Sequence, residues 1–172
     1  INNAEQQMIN NGIVGVGDIC NTADTLFQKE KENLKYYNFI EVFGVKDDLE
    51  NKIISEAIDL RNQFRKAAQR ATISPHAPYS VPPNLMKKIK KLFSHKDVLM
   101  TIHMQETKEE NQLFEHKRGS FYNWLKEIDA SPEVWSNRNK STSILEELGN
   151  TKMLLVHNTF AKKKNISDNY YC

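Results

Sequence analysis

Short apolar runs alternate with helical stripes along the whole chain, and this alternation sets the expected elements. The run Val98-Leu99-Met100-Thr101-Ile102-His103-Met104-Gln105-Glu106 lies between charged segments. Its length and branched residues predict a buried strand that gives way to a loop at His103 and Glu106. Similar runs predict strands over 13–19, 36–43, 71–74 and 152–156. Helical signals fall between them. The first covers 4–11 and stops at Gly12, and the second is capped by Asn21 and Thr22 and runs to about Lys31. Asp47 and Asp48 open a long helix with the stripe Leu49, Ile53, Ala57, Leu60 and Phe64. Pro82 and Pro83 start another, with Leu85, Met86, Ile89, Leu92 and Phe93 as its buried face. A helix from Thr107 turns Leu113, Phe114, Phe121, Trp124, Leu125 and Ile128 inward. Residues 129–140 read as a loop, Ser141 caps a short helix to Leu148, and the tail to Cys172 reads as the start of a helix.

About five apolar strands alternating with helices predict an α/β fold whose strands are parallel and joined by right-handed crossovers. Gly15 and Gly17 lack the third glycine and the immediate helix of a dinucleotide fingerprint, which excludes that function for this strand. Two prolines, Pro75 and Pro78, fix the loop that follows the strand at 71–74.

Composition narrows the class further. The 172 residues suit one domain, and 24 basic against 22 acidic residues leave a net charge of +2, which calls for no polyanionic partner. Lys87, Lys88, Lys90 and Lys91, and Lys162, Lys163 and Lys164, read as solvated helix faces, because no aromatic residues interleave with them as a nucleic-acid surface would need. Cys20 and Cys172 are too few for a disulfide framework and point to a reducing compartment, the cytoplasm. No stretch approaches the roughly 18 apolar residues of a membrane span, so no membrane partner is expected. The chain opens at Ile1 inside a helical segment, as a piece of a longer protein would.

The chemistry gathers at strand ends. In a parallel sheet the residues just past each strand share one rim, and three successive strands deliver His76, His103 and His157 there. His95 and His116 lie among Lys and Glu on helices and receive no role.

Three segments carry a resemblance. Ser74-Pro75-His76-Ala77-Pro78-Tyr79-Ser80, Thr101-Ile102-His103-Met104-Gln105-Glu106-Thr107 and Leu155-Val156-His157-Asn158-Thr159-Phe160 resemble the fourth, fifth and sixth strand ends of the amidohydrolase superfamily. The branch in question holds cytosine, guanine, adenosylhomocysteine/methylthioadenosine and aminofutalosine deaminases and triazine chlorohydrolases. The resemblance implies a partial TIM-like (β/α) barrel in which residues 1–172 form a central portion lacking the first and last strands. It implies that His103 is a neutral imidazole ligand to zinc or iron, and that Glu106 carries a proton from water to the substrate ring nitrogen and leaving group. His157 would orient the attacking oxygen, and His76 would contact a purine-like or related heterocyclic substrate. A divalent metal beside a carboxylate is chemically suited to such hydrolysis near neutral pH.

The family's His-x-His of the first strand and Asp of the eighth are not in this sequence. The isolated chain is therefore expected to be inactive and to hold metal weakly, since a catalytic site needs about three protein ligands. No lysine or carboxylate stands out near 74–80, which favours one metal over a site in which both His103 and His157 are ligands. Open sheet edges would favour association of the chain with itself. The competing reading is a non-enzymatic α/β scaffold whose rim histidines are structural.

Overall fold

In the computed structural model residues 1–46, 48–93, 98–130, 132–135, 138–149, 151–161 and 170–171 are described. Six strands carry the fold: β1 (Gly15–Cys20), β2 (Lys35–Val42), β3 (Arg70–Pro75), β4 (Leu99–Met104), β5 (Lys152–His157) and β6 (Tyr170–Tyr171). They form two parallel ladders, β1-β2-β3 and β4-β5-β6. The ladders are joined along β3 and β4, where the Thr101 amide donates to Ser74 Oγ at 3.3 Å and the His103 amide donates to the His76 carbonyl at 2.8 Å. Strand order thus follows chain order, with helices between successive strands from β1 to β5, and the result is part of a TIM-like (β/α) barrel.

The helices are α1 (Asn2–Asn10), α2 (Leu26–Lys29), α3 (Glu50–Lys66), α4 (Pro83–Phe93), α5 (Lys108–His116), α6 (Ser120–Glu127) and α7 (Ser143–Leu148), with a 3-10 turn at Pro132–Trp135. Alternation along the strands decides which side chains meet them. Ile40 and Val42, Ala71 and Ile73, Met100, Ile102 and Met104, and Met153 and Leu155 pack in one core with Ala57 and Phe64 of α3 and Leu85, Met86, Ile89 and Phe93 of α4. The alternate positions face the concave side. There Tyr37 donates its hydroxyl to the Leu99 carbonyl at 3.3 Å across the sheet, and Tyr37, Phe39, Leu99 and Leu154 help line a cavity of about 710 Å³ towards the N-terminal strand ends. Beneath β1 and β2 the ammonium of Lys29 is buried. It bonds Asp18, the Asn38 side-chain oxygen Oδ1 at 2.6 Å and Cys20 Sγ at 3.3 Å, so the buried charge has partners in full.

Several elements differ from the sequence expectation. The single helix expected from Thr107 is two, because Lys117 is left-handed (φ 52) and Gly119 has φ 97, where a Cβ would collide with the Gln112 side chain. Trp124, expected inward, is 43 % exposed. Trp135, assigned to a loop, is fully buried and forms a second apolar cluster with Leu113, Phe114, Leu125 and Ala130. The helix assigned to Asn21–Lys31 shrinks to four residues, with Thr22 bonded to Asp24 rather than capping. Leu49 is itself the N-cap of α3 and is exposed, while Asp47 lies outside the described residues. Ser141 caps nothing: α7 starts two residues later, and its N-cap Thr142 makes no side-chain cap bond. The tail gives strand β6 at 170–171 where a helix start was expected; residues 162–169, with their three lysines, and Cys172 lie outside the described residues, as does His95. Among the described residues no helix is long and apolar enough to cross a membrane.

Phe64 is fully buried, with its ring 5.0 Å below the Lys29 ammonium. Phe64→Ala should lower the unfolding free energy by about 3–5 kcal/mol in urea titrations. A loss below about 1 kcal/mol would contradict this packing.

Candidate active site

The C-terminal rim brings the three predicted histidines together. The His76 and His103 rings lie 5.1 Å apart between centroids, and those of His103 and His157 lie 5.5 Å apart. Each arrives by a different local device. His76 follows Pro75 directly; its amide donates to the Val42 carbonyl at 2.9 Å and its Nδ1 is 2.6 Å from Ser80 Oγ. His103 is the penultimate residue of β4 and faces the concave side. Met153 and Leu155 of β5 are in the core, so His157 falls on the helix-facing alternation of that strand. Positive φ at His157 (74) and Asn158 (52) turns the chain there and lets the ring reach His103.

Hydrogen bonding orients the His103 ring. Its Nδ1 lies 3.0 Å from the His76 carbonyl oxygen and 3.4 Å from Glu41 Oε1, both acceptors. A proton is therefore assigned to Nδ1, which leaves Nε2 as the ring atom available to a ligand. Glu106 Oε1 is 3.5 Å from His157 Nε2, so the fourth predicted residue joins the same cluster. Glu41, His76 and His103 place one ligand atom each within 4.8 Å of one another. Imidazole nitrogen with carboxylate oxygen is a donor set that zinc and iron accept, and with each Nδ1 engaged, at Ser80 and at the His76 carbonyl, the second ring nitrogen of His103 fits a divalent cation and that of His76 can face a cation or a substrate.

Aromatic rings wall the site. Phe43 and Tyr79 meet the His76 ring edge-on at 6.1 and 5.9 Å, and Phe121 packs on Tyr79 at 4.7 Å. Burial, reinforced by the carboxylates of Glu106, Glu110 and Glu41, pushes the Tyr79 phenol up to about 12, so it stays neutral. Arg138 reaches in from beyond the 3-10 turn. It is almost fully buried, pairs bidentately with Glu147, and donates to the Pro78 and Val81 carbonyls at 2.7 and 2.9 Å, which anchors the loop behind His76.

The profile of the amidohydrolase family matches residues 1–169. The chain belongs to that family. An adenosine deaminase of Helicobacter pylori is 27 % identical over 166 residues, a match that takes in 94 % of this amidohydrolase chain and 40 % of the relative. The chain thus spans two fifths of the length of the curated relative it matches. Among solved structures, H. pylori aminofutalosine deaminase in complex with methylthio-coformycin superposes with a TM-score of 0.77 at 22 % identity, over 95 % of this chain and 40 % of that one. A guanine deaminase from C. acetobutylicum with bound guanine gives 0.68 at 15 % identity, over 95 % and 39 %. Both likenesses show the fold.

Sequence reasoning missed four residues of this amidohydrolase site. Glu41 looked like an ordinary polar position of an alternating strand, and its place beside His103 brings a carboxylate to this rim from outside residues 74–80. A signal was present: Glu41 lies three residues before Gly44, at the strand end level with the rim histidines. Ser141 and Arg138 left no comparable trace, since their contacts with Glu110 and Pro78 lie 31 and 60 residues away in sequence, whereas Glu110 follows Thr107 at the spacing of a capping box but the amides its carboxylate holds are evident only in the fold.

Burial lowers the His76 pKa below its ordinary 6.5; Glu41 and Glu106 oppose this and His103 adds to it. The folded pKa is thus below the unfolded one, so His76 stabilises the fold fully above 6.5, and this stability declines as pH falls from there through the folded value. An NMR titration of the His76 imidazole should show its midpoint below 6.5, and a midpoint at or above that value would contradict the burial.

Proposed function

We propose that residues 1–172 are a central portion of a (β/α) barrel, lacking its first and last strands, and that they carry the proton-transfer side of a metal-dependent deaminase active site. The substrate is a purine-like or related heterocycle whose ring carbon bears an amine. The convergence of His76, His103, His157 and Glu106 on one small volume carries this reading. The aromatic rings of Phe43, Tyr79 and Phe121 grouped around His76 support a planar substrate, since rings stack or meet edge-on at low cost.

His103 would hold zinc or iron through Nε2. Such a cation, when bound, lowers the pKa of water and makes hydroxide available near neutral pH. The chain's own residues do the rest. Glu106 takes a proton from the attacking water and passes it to the ring nitrogen next to the carbon under attack. A new C–O bond forms there, and the ring nitrogen accepts the displaced electron pair. Glu106 then carries the second proton to the exocyclic amine, the C–N bond breaks, and ammonia leaves with the bonding electrons. His157, 3.5 Å from Glu106, orients the incoming oxygen and stabilises developing negative charge. His76 keeps Nδ1 on Ser80 and offers its other ring nitrogen to the heterocycle.

The full-length protein containing this segment should deaminate purine nucleosides or bases, and Glu106→Gln should lower turnover by roughly 10²- to 10⁴-fold with the circular-dichroism spectrum unchanged. Undiminished turnover in that variant would remove Glu106 from the chemistry. The 172-residue chain alone should be inactive and should retain little metal through gel filtration; stoichiometric zinc by plasma mass spectrometry would contradict this. We also expect it to self-associate through the outer edges of β1 and β6, which light scattering would disprove by showing a clean monomer.

A further inference from the structure

We infer that Glu110 is a positioning residue that fixes Glu106, with Ser141 completing the arrangement; this rests on the reading of Glu106 as the proton carrier. Glu110 is fully buried, yet among the described residues its carboxylate accepts only from neutral donors. Oε1 takes the Gln105 amide at 2.9 Å and the Ser141 hydroxyl, and Oε2 takes the Glu106 amide at 3.2 Å. Burial pushes its pKa up, and these three donors work against that rise. A buried carboxylate without a cation is costly, so stability alone is a poor reason for it.

Its reach is also unusual. Thr107 is the N-cap of α5, and its Oγ1 accepts the Glu110 amide at 3.4 Å, which is one half of a capping box. The reciprocal half would return the Glu110 carboxylate to the Thr107 amide. Here it passes the cap and grips the two preceding amides, those of Gln105 and Glu106, on the turn where the chain leaves β4. Gln105 has φ 49, a left-handed conformation that needs such support. With both amides held, the direction in which Glu106 projects is fixed.

The same turn is tied to the other catalytic strand end. The Asn158 amide donates to the Met104 carbonyl at 3.0 Å and the Phe160 amide donates to the Gln105 carbonyl at 3.2 Å. Glu106 and His157 are thereby set relative to each other, consistent with their 3.5 Å approach. Ser141 comes from the segment that also carries Arg138, so one stretch of chain braces both the Glu106 turn and the His76 loop.

The test uses the full-length protein in five forms: wild type, Glu110→Gln, Ser141→Ala, Glu106→Gln and the Glu106→Gln/Glu110→Gln double variant. An amide at 110 presents a donor to one of the two backbone donors, so Glu110→Gln should lower kcat by roughly 10- to 100-fold while KM and bound metal stay unchanged. The double variant should turn over no more slowly than Glu106→Gln, because Glu110 acts only through Glu106. Hydrogen exchange by mass spectrometry should quicken at the 105 and 106 amides in Glu110→Gln, and to a smaller degree in Ser141→Ala, with distant peptides unchanged. Additive losses in the double variant, or unchanged exchange at 105 and 106, would overturn the inference. If no heterocycle is turned over by the wild type, quickened local exchange still upholds the anchoring and it is the proton-carrier reading that fails. Should Glu110→Gln not fold, Ser141→Ala decides by the same two readouts.

Discussion

The seam between β3 and β4 is the constraint on which the rest depends. Parallel ladders hold three strands on either side of it, but across it the regular pattern gives way to a Ser74 hydroxyl and a single carbonyl, that of His76. That carbonyl receives both the backbone amide and the imidazole Nδ1–H of His103. Sheet continuity and the ring orientation of a candidate ligand are thus settled by one oxygen atom. A shift of the seam would move the imidazole together with the strand, so the sheet cannot breathe there without displacing the His103 ring from its neighbours on the rim.

Around the seam the backbone takes conformations that regular structure avoids. Gln105, His157 and Asn158 all have positive φ, and none is a glycine. Such residues persist where surrounding bonds over-determine them, and they cluster where function demands a particular projection. The bonds are present: Glu110 holds the turn at Gln105, and Met104 and Gln105 carbonyls hold the chain after His157. A helix-facing position on β5 becomes a rim position by this means.

The sequence reveals whatever depends on local period and misses whatever depends on distant partners. Strand runs such as Leu99–Met104 and the stripe of Ala57 and Phe64 announce themselves because alternation and helical spacing are written into neighbouring residues. The three histidines were legible for the same reason, each lying at a strand end. Glu41 was read as an ordinary acid of an alternating strand, and its approach to His103, two strands away on the other ladder, is evident only in the fold. The break at Lys117 and Gly119 hides inside an apolar pattern that fits one helix equally well. Ser141 carries every mark of a helix cap and is instead drawn to a carboxylate 31 residues earlier in the chain. Trp135 sits in a polar stretch, and only the cluster it completes explains its burial.

Arg138 has one more consequence, for the order of assembly during synthesis. The carbonyl of Pro78 precedes it by 60 residues. At translation speeds of roughly 5–20 residues per second, the loop behind His76 leaves the ribosome about 3 to 12 seconds before the guanidinium that fastens it. Strands β1 to β3 can pair in that interval, whereas the mouth of the barrel must wait. The nascent chain therefore acquires its scaffold first and its histidine-bearing rim last.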